Sequence, residues 1–253
     1  MSKRENKIIE ILHQYGNLSV EELSDLLEAS PSSIRRDLIS LNQNRFIKRT
    51  HGGISLSTVI NYEPLWYRRT PVDMNEARAI ARKAATLIHP GDIIGLSGGV
   101  VCTQLAFVLR LLADVTVVTN AINIAAELVY LPGIQLRLTG GRLNPGSFEL
   151  VGRALKPSLS GVHIQKFFLG TDGLSTIHGV TGHDEAEADA ARIIMKHSDE
   201  TIILADSSKF RKTSFSQVAP LDDFSRVVST DRVPENVREE FEGTGIKILI
   251  ASQ

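Results

Sequence analysis

The stretch Ser19–Leu56, SVEELSDLLEASPSSIRRDLISLNQNRFIKRTHGGISL, decides the fold of the N-terminal part of the chain. Ser19 and Glu22 have the spacing of a capping box, in which each side chain satisfies a free backbone donor at a helix start. Ser30 followed by Pro31 marks the next helix start, because a proline at the first helical position loses no hydrogen bond. The stretch therefore contains two helices separated by a short turn.

Apolar side chains recur at helical spacing on both sides of that turn. The preceding segment KRENKIIEILHQYG has Ile8, Ile9 and Leu12 on one face and ends at a glycine. The helix after Ser30 has Ile34, Leu38 and Leu41 on one face, and the segment RFIKRTHGGISL that follows reads as a short hairpin. We predict a winged helix-turn-helix over residues 1–56.

Four polar residues of the third helix point away from its apolar face: Ser32, Ser33, Arg35 and Arg36. In a winged helix-turn-helix the start of this helix enters the major groove. Arginine can bind guanine or phosphate there, and small hydroxyls allow close approach. The alternative is a three-helix cap with an exposed polar face. Asp37 is expected to pair with a neighbouring arginine and not to read cytosine.

The Ile34–Leu38 run IRRDL and the run Arg49–Gly53, RTHGG, resemble the DNA-binding domain of the DeoR family of bacterial sugar-metabolism regulators. The resemblance continues along the rest of the chain. It implies that Arg35 and Arg36 contact double-stranded operator DNA, helped by Ser32, Ser33 and the wing residues Lys48, Arg49 and His51. It also implies a repressor that a sugar phosphate releases.

The composition of the chain limits the classes of protein to which it can belong. The chain has 253 residues, 42% of them hydrophobic and 23% charged, with a net charge of -1. We expect no signal peptide or membrane span, because apolar runs are short. The single cysteine excludes an internal disulfide and suits a reducing cytoplasm. Since operator half-sites mirror protein symmetry, a homo-oligomer is expected, either a dimer or a tetramer.

Residues 57–75 contain Pro64 and Pro71 and are predicted to be a linker. Residues 76–253 alternate apolar strands with amphipathic helices, which indicates an α/β domain with a mostly parallel sheet. Polar or glycine-rich segments follow five of the strands, at the edge where such sheets bind ligands. They are Ser97–Gly99, Thr119–Asn120, Gly140–Arg142, Gly170–Gly173 and Asp206–Lys209.

This second part is similar to the DeoR sensor domain, which resembles ribose-5-phosphate isomerase. The resemblance implies that the loop Ser97–Thr103 cradles a phosphate, that Asp172 binds sugar hydroxyls, and that Lys209 neutralises the phosphate or holds a hydroxyl. Candidate effector contacts are Ser97, Gly98, Gly99, Val100, Val101, Cys102, Thr103, Asn120, Gly141, Asp172 and Lys209.

The loop departs from the family pattern Ser-Gly-Thr-Thr-Thr. This chain has Gly98-Gly99-Val100-Val101-Cys102, so three hydroxyls are missing, and only Ser97 and Thr103 could replace them. Three readings stay open: a phosphorylated effector held by backbone amides, an unphosphorylated or lost effector, and a packed turn.

The remaining candidate residues are more consistent with structural roles than with redox or metal-binding ones. Cys102 is expected to be a packed side chain. The acidic segment His183–Asp189 fits a solvated helix start better than a metal site. No metal or cofactor is expected, and the chain is not expected to be an enzyme. The alternative is a sugar-phosphate isomerase with Glu185 as its base.

Overall fold

The computed structural model describes residues 2–43, 46–50, 53–56, 73–112 and 114–252. The predicted wing contact His51 and most of the predicted linker, residues 57–72, lie outside this description. The chain divides into two compact units, residues 1–61 and 62–253. No helix in the described part combines the length and the apolar character needed to cross a membrane.

The first unit is a three-helix domain followed by a two-stranded antiparallel hairpin, which confirms the predicted winged helix-turn-helix. Its elements are α1 (Lys3–Tyr15), α2 (Val20–Leu27), α3 (Pro31–Gln43), β1 (Ile47–Thr50) and β2 (Gly53–Leu56). Apolar side chains from all five elements form one core: Ile8, Ile9, Ile11, Leu12, Leu23, Ile34, Leu38, Leu41, Ile47 and Ile54.

Local signals set the bounds of these helices. The Glu22 N–H donates to Ser19 Oγ at 3.1 Å, and the Ser19 N–H donates to Glu22 Oε2 at 2.7 Å, so the predicted capping box is present. The N–H groups of Ser33 and Ile34 donate to the Ser30 carbonyl at 2.9 and 3.1 Å, which starts α3 where the sequence predicts it.

The second unit is built on a seven-stranded sheet in which every neighbouring pair is parallel, as predicted. Its strands are β3 (Ile93–Leu96), β4 (Val115–Thr119), β5 (Ile134–Leu138), β8 (Ile164–Gly170), β11 (Ser198–Leu204), β13 (Arg226–Thr230) and β14 (Lys247–Ala251). Their spatial order is β14-β13-β11-β8-β3-β4-β5. From β3 the chain adds strands toward β5, and from β8 it adds them toward β14, so the strand order reverses between β3 and β8. Ligands of such sheets bind beyond the strand ends at this kind of switch point.

Helices and small sheets surround the parallel sheet. The helices are α4 (Met74–Ala85), α5 (Val100–Leu109), α6 (Ile122–Leu128), α7 (Leu155–Ser158), α8 (Glu185–Met195) and α9 (Glu235–Glu242). The additional strands are β6 (Arg142–Asn144), β7 (Glu149–Val151), β9 (Gly173–Ser175), β10 (Gly179–Gly182) and β12 (Ser216–Ala219). β6 pairs with β7, and β10 pairs with both β9 and β12, all antiparallel.

Candidate functional sites: an exposed helix face and an acidic cavity

The first candidate site is the exposed face of α3. Ser32, Arg35 and Arg36 are exposed and stand at i, i+3 and i+4, so they share one face of the helix, while Ser33 is half-buried. On the opposite side Ile34, with its neighbours in the apolar stripe, is buried in the domain core. On the wing, Lys48 is half-buried and Arg49 is exposed.

Most of the positive charge on this face is available to a ligand. Arg36 and Arg49 have no ion-pair partner among the described residues. The Nη2 atom of Arg35 lies 4.0 Å from Glu21 Oε1, and both side chains are largely exposed, so water weakens this pair. Asp37 is held by Arg4 of α1, whose Nη2 donates to Asp37 Oδ1 at 3.2 Å. As expected, Asp37 pairs with an arginine, although that arginine comes from another helix.

The second candidate site is a cavity of about 370 Å³ in the second unit. It lies beyond the ends of β3, β8 and β11, next to the β6–β7 hairpin and the start of α8, so it is at the switch point of the sheet. Seven of the predicted effector contacts line it: Ser97, Gly98, Gly99, Val100, Val101, Asp172 and Lys209. This size suits a ligand of a single sugar ring.

The hydroxyl groups of Ser97 and Thr103, which could replace the missing loop hydroxyls, both form hydrogen bonds to other groups of the protein. Ser97 Oγ donates to the Gly98 carbonyl at 3.2 Å and accepts the Gly170 N–H at 3.0 Å, which joins the ends of β3 and β8. Thr103 Oγ1 donates to the Gly99 carbonyl at 2.8 Å and accepts from Asn123 Nδ2 at 3.0 Å. Neither hydroxyl is left free for a ligand, so hydrogen bonds from this loop to a ligand in the cavity would come mainly from its backbone.

A carboxyl group covers part of that backbone. Glu149, the first residue of β7, accepts the Gly98 N–H with Oε1 at 3.1 Å and the Asn120 amide with Oε2 at 2.8 Å. A Cβ atom added to Gly98 would lie 2.3 Å from Glu149 Oε1, so only glycine allows this approach. Burial, together with the nearby charges of Glu187 and Asp172, raises the pKa of Glu149 to about 8.

Further acids line the cavity beside Glu149. Glu187 accepts from Asn144 Nδ2 at 2.8 Å, and its pKa is raised by burial and by Asp184 and Asp172. Asp172 Oδ2 accepts the His183 N–H at 3.0 Å. Asp184 caps α8 by accepting the N–H groups of Ala186 and Glu187. His183 lines the cavity and is exposed, as expected. The expectation of a merely solvated helix start is wrong for Asp184 and Glu187, which are half-buried and line the cavity because the β6–β7 hairpin packs beside α8.

One lysine, Lys209, also lines the cavity. Lys209 closes a short 3-10 turn, Ser207–Lys209, after β11, and only 8% of its surface is exposed. Its ammonium group has no hydrogen-bond or ion-pair partner in the described part of the chain. The turn is anchored from behind by Glu76 of α4, which accepts the Ser207 N–H at 3.0 Å and the Ser207 hydroxyl at 2.8 Å.

Four predicted effector contacts do not line the cavity: Cys102, Thr103, Asn120 and Gly141. Cys102 is fully buried, its thiol lies 3.5 Å from Ser97 Oγ, and burial raises its pKa to about 12. It has the packed role that the sequence favours. Asn120 is buried and positions Glu149. Gly141, with φ of 154°, lets its backbone lie against Leu150, because a Cβ there would meet Leu150 atoms at 2.9 Å.

The geometry bears on two alternatives from the sequence. The described residues contain no group of three or more His, Cys, Asp or Glu side chains that could hold a metal ion. Glu185, the candidate base of an isomerase, is exposed and does not line the cavity.

Family models match both units of the chain. The DeoR-like helix-turn-helix domain matches residues 4–59, and the DeoR C terminal sensor domain matches residues 73–232.

Similar proteins span the whole chain. The "HTH-type transcriptional repressor GlcR" of Bacillus subtilis is 33% identical over 247 residues, which are 97% of this chain and 95% of that protein. The "Putative aga operon transcriptional repressor" of Escherichia coli O157:H7 is 29% identical over 254 residues, covering 100% of this chain and 94% of that protein.

A solved structure of ribose 5-phosphate isomerase A from Neisseria gonorrhoeae is 16% identical, with a TM-score of 0.40 over 54% of this chain and 53% of that one. A likeness this low carries no functional information.

Proposed function

The chain belongs to the DeoR family of transcriptional regulators, and on that premise we propose that it represses genes of carbohydrate catabolism by binding an operator, and that a sugar-derived effector releases it. The observation that carries the proposal is the joining of a helix-turn-helix domain and a sensor domain in one chain, both matched by family models. Its relatives in Bacillus subtilis and Escherichia coli are named as repressors.

The exposed face of α3 is the proposed base-reading surface. Arg35 and Arg36 bind guanine edges or phosphates in the major groove, and Ser32 and Ser33 allow the helix start to approach the DNA backbone. Lys48, Arg49 and His51 of the wing add phosphate contacts. Since operators are commonly two-fold symmetric, the binding species is proposed to be a dimer or a larger homo-oligomer.

The cavity at the β3–β8 switch point is the proposed effector site. The DeoR sensor domain favours a sugar phosphate, and the cavity offers Asp172 for hydroxyl groups and Lys209 for the anion. Binding shifts the operator equilibrium only if the effector prefers one arrangement of the chain over the other. We assign the chain no catalytic role, because the candidate base Glu185 is exposed outside the cavity. A regulator of this kind acts in the cytoplasm, where its operator is.

Operator selection tests the proposal. The full chain is used to select sites from a random duplex library, and the selected site is titrated with the chain and with Arg35→Ala. A bidentate arginine–base contact is worth about 1–3 kcal/mol, so we expect the variant to bind the site roughly tenfold to a hundredfold more weakly.

The thermal midpoint should not change, because Arg35 is exposed. Arg153→Ala, which removes an exposed arginine from the second unit, serves as the matched control. Failure to select any sequence, or an equal loss with both variants, would contradict the proposed function.

A further inference from the structure

An isoleucine stands at the centre of the exposed face of α3. Ile39 is 50% exposed. It follows Ser32 by seven residues, Arg35 by four and Arg36 by three, and these spacings place all four residues on one face of the helix. The apolar stripe of α3 lies on the other side, in the core of the domain. Ile39 therefore belongs to the proposed base-reading surface and not to the core.

The residues around Ile39 on this face are polar. After Pro31 at the helix start, the other exposed residues of α3 are Ser32, Arg35, Arg36, Asn42 and Gln43. Isoleucine has a lower helix propensity than alanine, glutamate or lysine, the residues that commonly fill exposed helix positions. Neither packing in the core nor helix formation therefore accounts for an isoleucine at this position.

The charge around Ile39 favours nucleic acid as its partner. Arg36 has no ion pair within the described ranges, and the 4.0 Å pair that Arg35 forms is exposed, so water weakens it. The acid of this helix, Asp37, is half-buried and is held by Arg4 of α1. An apolar group between two available guanidinium groups matches the major groove of DNA, which has phosphates along its edges and thymine methyl groups on its floor.

We propose that Ile39 is a specificity-determining residue that contacts the C5-methyl group of a thymine in the major groove of each operator half-site. Among the four bases only thymine carries a methyl group there, so an apolar contact selects a T·A pair. This inference rests on the proposed function and deepens it, because it adds one base preference to the arginine contacts.

The geometry of α3 limits where this thymine lies. An α-helix rises about 1.5 Å per residue, so Ile39 is about 6 Å further along the axis than Arg35. Successive base pairs are about 3.4 Å apart. The thymine is therefore expected within about two base pairs of the DNA groups that Arg35 and Arg36 contact, in the same half-site.

The test removes the methyl group from the DNA and the side chain from the protein separately. The operator duplex selected by the full chain is remade with deoxyuridine in place of each thymine in turn, on both strands, which removes only the methyl group. Each duplex is titrated by fluorescence anisotropy. We expect deoxyuridine at one position of a half-site to weaken binding by the unmodified chain about fourfold, the value of one buried methyl or methylene group.

The protein and DNA changes should not add. Ile39→Ala should bind the unmodified duplex about fourfold more weakly for each half-site, and should lose nothing further when the contacted thymine becomes deoxyuridine. Ile39→Val keeps the branched Cβ and should retain most of the methyl effect. This dependence of one change on the other distinguishes a direct contact from a change elsewhere in the helix.

Two controls separate this contact from a loss of structure. Ile177→Ala removes an isoleucine of the second unit that is 83% exposed, and it should bind every duplex as the unmodified chain does. Because alanine is the better helix former, Ile39→Ala should not lower the thermal midpoint. Weaker operator binding by this variant then cannot come from unfolding of α3.

The proposal is overturned if no deoxyuridine substitution weakens binding, if Ile39→Ala shows the same methyl effect as the unmodified chain, or if the selected half-site contains no T·A pair. Any of these results with a selected operator in hand would refute this inference alone. Failure of the unmodified chain to select any operator would refute the proposed function itself.

Discussion

Replacing Glu149 with glutamine removes a half-buried carboxyl group whose ionisation opposes folding. The ordinary pKa of this group is 4.5, and burial raises it to about 8 in the folded chain. Between these values the folded state holds a proton that the unfolded state has lost. The free energy of unfolding therefore falls as pH rises from about 4.5 to about 8 and is level above that.

The size of the effect follows from the shift in pKa. One unit corresponds to about 1.4 kcal/mol, so the titration of Glu149 lowers the free energy of unfolding by about 3 kcal/mol between pH 5 and pH 8. Glu149→Gln lacks this titration. Its bonds to Gly98 and Asn120 can be kept if the Asn120 amide turns over, because Asn120 Oδ1 has no partner among the described residues and can accept from the new amide. This turn gives up the weaker 3.3 Å bond from Asn120 Nδ2 to the Leu150 carbonyl. We expect the variant to gain about 3 kcal/mol over the unmodified chain across this range.

The assay is urea unfolding of both chains at several pH values, with the difference in free energy plotted against pH. Comparing differences cancels the titration of groups that both chains share, including the histidines. Glu242→Gln, an exposed carboxyl, should give a level plot. A level plot for Glu149→Gln as well would refute the reasoning, since it would show that Glu149 is solvated or paired.

Three other substitutions have definite expected outcomes. Gly98→Ala places a Cβ 2.3 Å from Glu149 Oε1, so urea unfolding should show a loss of about 1–3 kcal/mol, and an unchanged midpoint would mean that this carboxyl moves freely. Glu76→Gln leaves one acceptor where the carboxylate takes hydrogen bonds from Ser207 and Thr230, and a loss of about 1–3 kcal/mol is expected against the exposed control Glu239→Gln. Ser19→Ala removes the cap of α2 and should cost about 1 kcal/mol, with faster hydrogen exchange at the Glu22 amide; unchanged exchange there would argue against the capping box.

The first unit could be predicted from the sequence because its signals are local. The Ser19–Glu22 capping box and the Ser30–Pro31 helix start lie within a few residues of the groups they satisfy. The apolar spacing of Ile34 and Leu38 then determines which side of α3 is exposed. Each of these features depends on backbone geometry over one or two helical turns, which a sequence shows directly.

The parallel sheet could also be predicted, whereas the short antiparallel strands β6 and β7 beside it could not. Buried parallel strands form continuous apolar runs, such as Ile93–Leu96, and these stand out in the sequence. β6 and β7 have three residues each and contain Arg142, Asn144 and Glu149, so they lack both an apolar run and a clear alternation. Their pairing depends on tertiary contacts.

The acidic character of the cavity was missed for the same reason. Gly98 and Glu149 are 51 positions apart, and only the placement of the β6–β7 hairpin brings them together. Glu187 stands in the first turn of a helix, where an exposed acid is common. The sequence carries one usable signal, which is the loss of the loop hydroxyls at Val100, Val101 and Cys102. That change left open a phosphorylated effector, an unphosphorylated or lost effector and a packed turn, and it did not show what had replaced the hydroxyls.

The most direct test of the account is operator release by the cavity ligand. The full chain is bound to its selected operator duplex, and fluorescence anisotropy is followed as a panel of sugar phosphates and the matching free sugars is added. The account predicts that a sugar phosphate releases the unmodified chain, and that Lys209→Gln stays bound to the operator at the same concentration. Release of both chains at the same concentration, or operator binding that no compound changes, would contradict the account.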